Sequence, residues 1–226
     1  MVALGQAQSP QEAVFTKVAH VTSVSILQSI PLSQRARPRY PRVGFLSRGS
    51  AIMPYIAIEG CIASGKTTLA KALARHFGIL PTLEDYRDVP SLESFYTDPD
   101  RYAFETEIQF TQAHFNRLAP ALELSKGSTL ITDITLKRDL LFATITLERQ
   151  PGRLLEYKRF WQNLASQLPD PDQILLLEAP TDELLNRIRQ RGRPFEQGIT
   201  KQYLERLVTG LREAYRDFPE GSIQRL

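Results

Sequence analysis

The sequence contains one cysteine, Cys61, among 226 residues, so no disulfide can form within the chain. A single cysteine is typical of a protein from a reducing compartment, and we therefore expect a cytoplasmic location. The sequence also lacks any run of about 18 apolar residues, the length that a membrane-spanning helix needs. It contains no visible internal repeat. These absences predict a folded domain that has no membrane partner.

Acidic residues are scarce at the N-terminus. Residues 1–52 contain six Lys and Arg but one acid, a net charge of +5, whereas residues 53–226 have a net charge of −2. The folded part thus lacks the basic excess that nucleic-acid binding needs. Residues 1–52 are rich in serine and arginine with weak periodicity, and we expect them to be disordered. Either translation starts at Met53, or these residues are a transit peptide for a mitochondrion or plastid.

A glycine-rich loop follows the first apolar segment. Gly60–Thr67 has the pattern G-x-x-x-x-G-K-T, after the predicted strand Tyr55–Ile58 and before a stretch of helix formers. Strand, loop and helix together form the context that a phosphate-binding P-loop requires. Lys66 is predicted to reach the outer phosphates of ATP, and the hydroxyl of Thr67 to ligate Mg²⁺. The predicted phosphate-binding residues of the loop are Gly60, Cys61, Ile62, Ala63, Ser64, Gly65, Lys66, Thr67 and Thr68.

Two carboxylates follow apolar segments further along the chain. Glu84 follows the predicted strand Leu80–Leu83, and Asp133 follows the predicted strand Leu130–Thr132. Ligands of open α/β sheets bind at the carboxyl ends of the strands. Asp133 is therefore predicted to hold Mg²⁺ together with Thr67, although an aspartate at this point could also cap a helix.

The segment Arg187–Gly198 combines several arginines with glycine and proline. This composition suits a mobile lid that brings guanidinium groups onto phosphates during phosphoryl transfer. The alternative is an exposed helix end, where cations are favourable in any case. Strand-like and helix-like segments alternate throughout residues 53–226, which predicts a parallel sheet covered by helices on both faces.

These motifs resemble those of the bacterial-type deoxynucleoside kinases, a family of the P-loop kinase superfamily. The resemblance covers Met53 to about residue 216. Besides the P-loop, it is carried by Leu83-Glu84, Phe95-Tyr-x-Asp-Pro-x-Arg-Tyr102, Thr132-Asp133 with Arg138-Asp139, and Arg189-x-Arg-Gly-Arg-x-x-Glu-Gln-Gly198. It implies a three-layer P-loop kinase fold with a five-stranded parallel sheet, and a homodimer. It also implies Mg²⁺-dependent transfer of the ATP γ-phosphate to the 5′-hydroxyl of a deoxynucleoside.

The resemblance also assigns roles to individual residues. Glu84 would be the base that takes the proton of the 5′-hydroxyl, with Lys66 and Arg191 as its catalytic partners. The lid arginines would be Arg187, Arg191 and Arg193. Tyr96 and Glu196 would hold the 3′-hydroxyl of the sugar. The full set of implied substrate-binding residues is Glu84, Tyr96, Glu105, His114, Asp133, Asp139 and Glu196.

Several positions depart from the family pattern, among them Cys61, which replaces a residue that is usually Asn or Pro. Glu105 stands where most members carry a glutamine that reads the base. An ionised carboxylate only accepts hydrogen bonds. Guanine presents adjacent N–H groups to such an acceptor, so Glu105 is expected to favour deoxyguanosine. His114 stands where an arginine is common near the base. Ile134 follows Asp133 where other branches carry arginine or tyrosine, so one charged contact is expected to be missing.

Two other functions remain open. A thymidylate-type nucleoside monophosphate kinase shares the P-loop and the arginine lid. It needs an arginine for the acceptor phosphate, typically at the position of Ile134. A nucleotide-binding regulator without activity is the second alternative, and the intact set Lys66, Thr67, Glu84 and Asp133 counts against it.

Overall fold

A computed structural model describes residues 54–218 and 221–226. The expected disorder of residues 1–52 and the expected start at Met53 concern residues outside these ranges. Within the described residues, no helix has both the length and the apolar composition needed to cross a membrane.

The core of the described residues is a sheet of four parallel strands. The strands, in the spatial order β2-β1-β3-β4, are β1 (Tyr55–Gly60), β2 (Leu130–Thr132), β3 (Gln173–Leu177) and β4 (Ile223–Arg225). Every residue of β1 and β3 is buried, as expected for central strands that helices cover on both faces. The prediction of a parallel α/β sheet is confirmed.

The predicted fifth strand is wrong for the described residues. Of Leu80–Leu83, only Thr82 pairs with the sheet, through a single bridge to Thr132 and a 2.9 Å bond from its N–H to Ile131. Pro81 has no N–H to donate, and Leu80 is 92% exposed. This segment therefore follows the edge of the sheet without becoming a strand.

Seven helices connect and cover the strands of the described part. They are α1 (Lys66–Phe77), α2 (Leu92–Thr97), α3 (Pro99–Leu124), α4 (Leu136–Thr146), α5 (Pro151–Ala165), α6 (Thr181–Arg191) and α7 (Lys201–Ala214). Short 3₁₀ turns occur at Tyr86–Asp88 and Pro194–Gly198. The sequence analysis did not predict α4, which begins where the side chain of Thr135 accepts a hydrogen bond from the N–H of Arg138.

Apolar clusters around the sheet position the site. Leu118 of α3 belongs to a cluster with Ala57 of β1, and Leu204 of α7 belongs to a cluster with Ile174 of β3. A further cluster joins helices α2, α3, α4 and α5. Because the strands are parallel, α1 and α4 begin at the same edge of the sheet, after the carboxyl ends of β1 and β2.

Candidate active site

Gly60 ends β1 and sets the shape of the P-loop. Its φ is +149°, and a Cβ atom there would lie 2.5 Å from Oγ of Ser64 and 2.8 Å from the carbonyl oxygen of Leu177. Gly65 adopts the left-handed conformation immediately before α1, with a φ of +102°. Both glycines therefore occupy positions that a larger residue fits poorly.

The structure places Lys66 against the loop that it follows. Its Nζ donates to the carbonyl oxygens of Gly60, at 3.1 Å, and Cys61, at 2.9 Å. Burial, assisted by the charge of Arg138, lowers the pKa of Lys66. Burial raises the pKa of the Cys61 thiol to about 11, so this thiol is a weak nucleophile. Of the remaining predicted loop residues, Ile62, Ala63 and Ser64 form the turn, and Thr68 lies exposed on the first turn of α1.

The structure brings Thr67, Asp133 and Glu84 together. Oγ1 of Thr67 donates to Oδ2 of Asp133 at 2.5 Å, and Oδ1 of Asp133 accepts from the backbone N–H of Glu84 at 2.8 Å. The described residues contain no cluster of three or more metal-ligating side chains. A hydroxyl and one carboxylate fit Mg²⁺, which takes oxygen ligands and is completed by phosphates and water.

The carboxylate of Glu84 is surrounded by cations. Its Oε2 accepts from Nη2 of Arg138 at 2.8 Å and lies 3.6 Å from Nε2 of His114. Burial alone would raise the pKa of Glu84. The charges of Arg138, His114, Lys66 and Arg193 outweigh burial and hold this pKa below its usual value. Glu84 is therefore ionised at neutral pH.

His114 of α3 is buried against Asp139 of α4. Its Nδ1 lies 2.9 Å from both oxygens of Asp139, and its Nε2 has no hydrogen-bond partner among the described residues. Burial alone would lower the pKa of His114, but the carboxylates of Asp139 and Glu84 raise it overall. The ring thus joins Asp139 to the site of Glu84.

The predicted lid residues lie together over the loop. Glu196 accepts from Arg191 at 2.5 Å and from Arg193 at 3.1 Å. The guanidinium of Arg193 lies 4.2 Å from the ring centre of Tyr86. Arg187 lies against the P-loop itself, 3.4 Å from the carbonyl oxygen of Ser64.

Tyr96 lies beside this lid. Its ring centre is 5.8 Å from that of Phe195, which sits between Pro194 and Glu196. Burial, together with the charge of Glu196, raises the pKa of Tyr96, so its hydroxyl remains protonated. The two residues that the family resemblance assigns to the sugar are thus brought together.

Glu105 is the one predicted substrate-binding residue that the structure separates from the others. It is exposed on α3 and accepts from Nε2 of Gln109 at 3.0 Å. Glu107 instead lies on the buried face that carries His114, and its Oε1 accepts from Thr146 at 2.8 Å. Burial raises the pKa of Glu107 to about 8. The carboxylate that faces inward is therefore Glu107, a correction to the sequence-based assignment.

The sequence analysis missed a second buried carboxylate, Glu59. It has no exposed surface, accepts from the hydroxyl of Thr135 and lies 3.8 Å from Arg138. One signal could have revealed this pair. A glutamate inside the apolar strand Tyr55–Gly60 requires a buried cation or hydrogen-bond donor, and Arg138 was named only as a neighbour of Asp139.

A P-loop at the first turn of a parallel α/β sheet, with strand-end carboxylates and an arginine-rich segment, defines a P-loop kinase. The sequence profile of the deoxynucleoside kinases matches residues 56–223. The chain belongs to the deoxynucleoside kinase family, and it is a phosphotransferase. The predicted resemblance is thereby confirmed.

Several characterised proteins are similar to this chain. Deoxyguanosine kinase of Bacillus subtilis (strain 168) is 37% identical over 170 residues, which cover 74% of this chain and 81% of the relative. Deoxyadenosine kinase of Dictyostelium discoideum is 30% identical over 180 residues, or 77% and 71% of the two chains. The structure of deoxyadenosine kinase from M. mycoides with bound dCTP is similar with a TM-score of 0.66 and 25% identity, over 76% of this chain and 89% of that one.

Proposed function

We propose that this protein transfers the γ-phosphate of ATP to the 5′-hydroxyl of a purine deoxynucleoside, with deoxyguanosine preferred. The observation that carries the proposal is the junction of Thr67, Asp133 and Glu84. In this junction, one carboxylate contacts both the P-loop helix and the backbone of a second carboxylate. Phosphate binding and activation of a hydroxyl therefore occur side by side. Family membership supports the same reaction.

Each group at the junction has a task in this reaction. The P-loop N–H groups and Lys66 bind the outer phosphates of ATP, where backbone amides and one cation offset their charge. Thr67 and Asp133 would hold Mg²⁺, which neutralises charge on the phosphates. Glu84 accepts the proton of the attacking 5′-hydroxyl, since its low pKa keeps it ionised. Arg191 and Arg193 lie close enough to Glu196 to move as one unit with the lid.

The preference for deoxyguanosine rests on Glu107. Burial raises the pKa of Glu107 to about 8, so the preference belongs to mildly alkaline pH, where the ionised carboxylate accepts hydrogen bonds and donates none, and guanine offers adjacent N–H groups at N1 and N2. Adenine needs a donor opposite its N1, which only the neutral acid supplies. The relative from Bacillus subtilis carries the name deoxyguanosine kinase, and this agrees with the same preference.

A coupled kinase assay tests the proposed reaction. The full chain is incubated with ATP, Mg²⁺ and, in turn, each of the four deoxynucleosides and dTMP. We expect turnover with deoxyguanosine first and deoxyadenosine second. Turnover of dTMP alone would indicate a thymidylate-type kinase. Retained ATP binding with no turnover of any acceptor would indicate a regulator.

One observation separates the proposal from the thymidylate-type alternative. Ile134 is fully buried and packs in the apolar cluster with Tyr55, Leu118 and Leu130. The position directly after Asp133 therefore supplies no charge for an acceptor phosphate. An acceptor without a phosphate, which is a nucleoside, fits this site better.

We also propose a homodimer and a cytoplasmic location. Leu155 of α5 is 52% exposed, and only Tyr157 is buried among the residues of the helix's apolar stripe, which are Leu154, Leu155, Tyr157, Phe160, Trp161 and Leu164. A second copy packed on α5 would cover this stripe, as the family resemblance implies. Light scattering during size exclusion tests the dimer, and cell fractionation tests the location.

A further inference from the structure

Arg138 is a buried cation shared by two carboxylates. Its side chain is 4% exposed, and its Nη2 donates to Oε2 of Glu84 at 2.8 Å. Its Nη1 donates to the carbonyl oxygen of Asp133 at 2.7 Å and lies 3.8 Å from Oε2 of Glu59. One guanidinium thus joins Glu59 before the P-loop, the backbone of Asp133 directly after β2 and the carboxylate of Glu84.

The first turn of α4 fixes this guanidinium in place. The hydroxyl of Thr135 accepts from the N–H of Arg138 at 3.2 Å and donates to Glu59. Ile134 is packed among apolar side chains and can offer no charge. Arg138, one helical turn further along the chain, therefore supplies the cation that is missing directly after Asp133.

We propose that Arg138 is a positioning residue that holds one oxygen of Glu84, so that the other oxygen faces the 5′-hydroxyl of the nucleoside. This proposal rests on the proposed role of Glu84 as the base. A planar guanidinium with several fixed donors suits the task, because it bonds the carboxylate and the backbone at Asp133 simultaneously. Arg138 also supplies the charged contact that was expected to be missing because Ile134 follows Asp133.

The chief competing role is purely structural, since Arg138 also faces Glu59. Removal of the guanidinium would leave the fully buried carboxylate of Glu59 without the one ion pair that it makes among the described residues. The substitution Glu59→Gln removes that problem, because the amide is neutral and can still accept from Thr135. A combined Glu59→Gln and Arg138→Met variant therefore separates the two roles.

The test compares the full chain with four variants, namely Arg138→Met, Arg138→Lys, Glu59→Gln and the double variant. At saturating ATP and deoxyguanosine, we expect Arg138→Met to lower kcat about 10²-fold, the cost of a misplaced catalytic group. The KM for ATP should stay unchanged. Arg138→Lys should recover part of the loss, because an ammonium keeps one donor for Glu84. The kcat of the double variant should be lower than that of Glu59→Gln by the same factor that separates Arg138→Met from the natural chain.

Two kinetic results would overturn the proposal. One is a kcat of Arg138→Met equal to that of the natural chain. The other is a kcat of the double variant equal to that of Glu59→Gln alone. A crystal structure of Arg138→Met, or of Arg138→Lys if the first does not fold, gives a readout without turnover. A Glu84 carboxylate that has left its position supports the proposal, and an unmoved carboxylate contradicts it. Failure of the natural chain to phosphorylate any deoxynucleoside would count against the proposed function, while this structural readout still decides the role of Arg138.

Discussion

Nδ1 of His114 lies 2.9 Å from both carboxylate oxygens of Asp139, and both side chains are 4% exposed. This pair connects α3 to α4 in the interior of the site. Because Asp139 and Glu84 raise the pKa of His114 against the effect of burial, the imidazolium is favoured in the folded chain. The pair therefore makes the stability of the fold depend on pH.

Replacement of Asp139 by Asn should lower the free energy of unfolding by about 2 kcal/mol at acidic pH, the value of a charge-assisted hydrogen bond. A raised folded-state pKa contributes stability that is complete below the unfolded pKa of His. That stability is lost as pH rises through the folded pKa. The difference between the natural chain and the variant should thus shrink with rising pH. Urea unfolding at a series of pH values measures it.

The control for this prediction is Asp182→Asn. Asp182 pairs with Lys201 at 2.7 Å, but its side chain is 77% exposed, so the loss should stay within about 1 kcal/mol. A difference between Asp139→Asn and the natural chain that stays constant with pH would contradict the account of the His114 pair.

Gly60→Ala should weaken both the fold and ATP binding. The added methyl group meets the carbonyl oxygen of Leu177 at 2.8 Å, and backbone cannot move aside as a side chain can. We expect a loss of about 1–3 kcal/mol, typical of overpacking in a well-packed site. Gly152→Ala in α5 is the matched control, since nothing lies within 4 Å of its added Cβ. Thermal unfolding and calorimetric titration with ATP measure both variants. Equal effects of the two substitutions would show that the loop does not need Gly60.

Asp133→Asn should raise the Mg²⁺ concentration needed for half-maximal activity by about 10–100-fold. The amide keeps an oxygen for Thr67 or Glu84 but loses the charge that attracts the ion. Addition of EDTA should stop turnover of the natural chain and of the variant. Asp88→Asn is the control, because Asp88 pairs with Arg117 at 2.5 Å outside this site. An unchanged Mg²⁺ requirement in Asp133→Asn would remove Asp133 from the proposed metal site.

Local motifs could be predicted from the sequence, and contacts between distant segments could not. The P-loop lies within one continuous stretch, so its pattern identifies Lys66 and Thr67 directly. Arg138 becomes part of the site only because the first turn of α4 brings its guanidinium to Glu84, a contact between distant segments that no local pattern around Ile134 indicates. The segment Leu80–Leu83 does not form the predicted fifth strand, because Pro81 has no N–H to donate to the sheet.

The sequence pointed to Glu105, whereas the glutamate that faces inward is Glu107, and the difference has a simple geometric cause. Residues two apart on an α-helix point about 200° away from each other, so a shift of two positions moves a side chain to the opposite face. Motif spacing placed a glutamate near the base. Only the packing of α3 against α4 shows which glutamate points inward.

We expect the base preference to depend on the protonation of Glu107, whose pKa is raised to about 8 by burial. Below this pH the neutral acid both donates and accepts, and it can pair with adenine or guanine. Above this pH the carboxylate only accepts, which suits guanine. We expect Glu107→Gln, which cannot ionise, to have a base preference that is independent of pH. Glu105→Gln is the matched control on the exposed face of the same helix.

The ratio of kcat/KM for deoxyguanosine to kcat/KM for deoxyadenosine, measured between about pH 6.5 and about pH 8.5, tests the account most directly, because pH effects common to both substrates cancel. In the natural chain and in Glu105→Gln, this ratio should rise with pH by about tenfold, which corresponds to roughly 1.4 kcal/mol. In Glu107→Gln it should stay constant. A constant ratio in the natural chain, or a rise that persists in Glu107→Gln, would contradict the account.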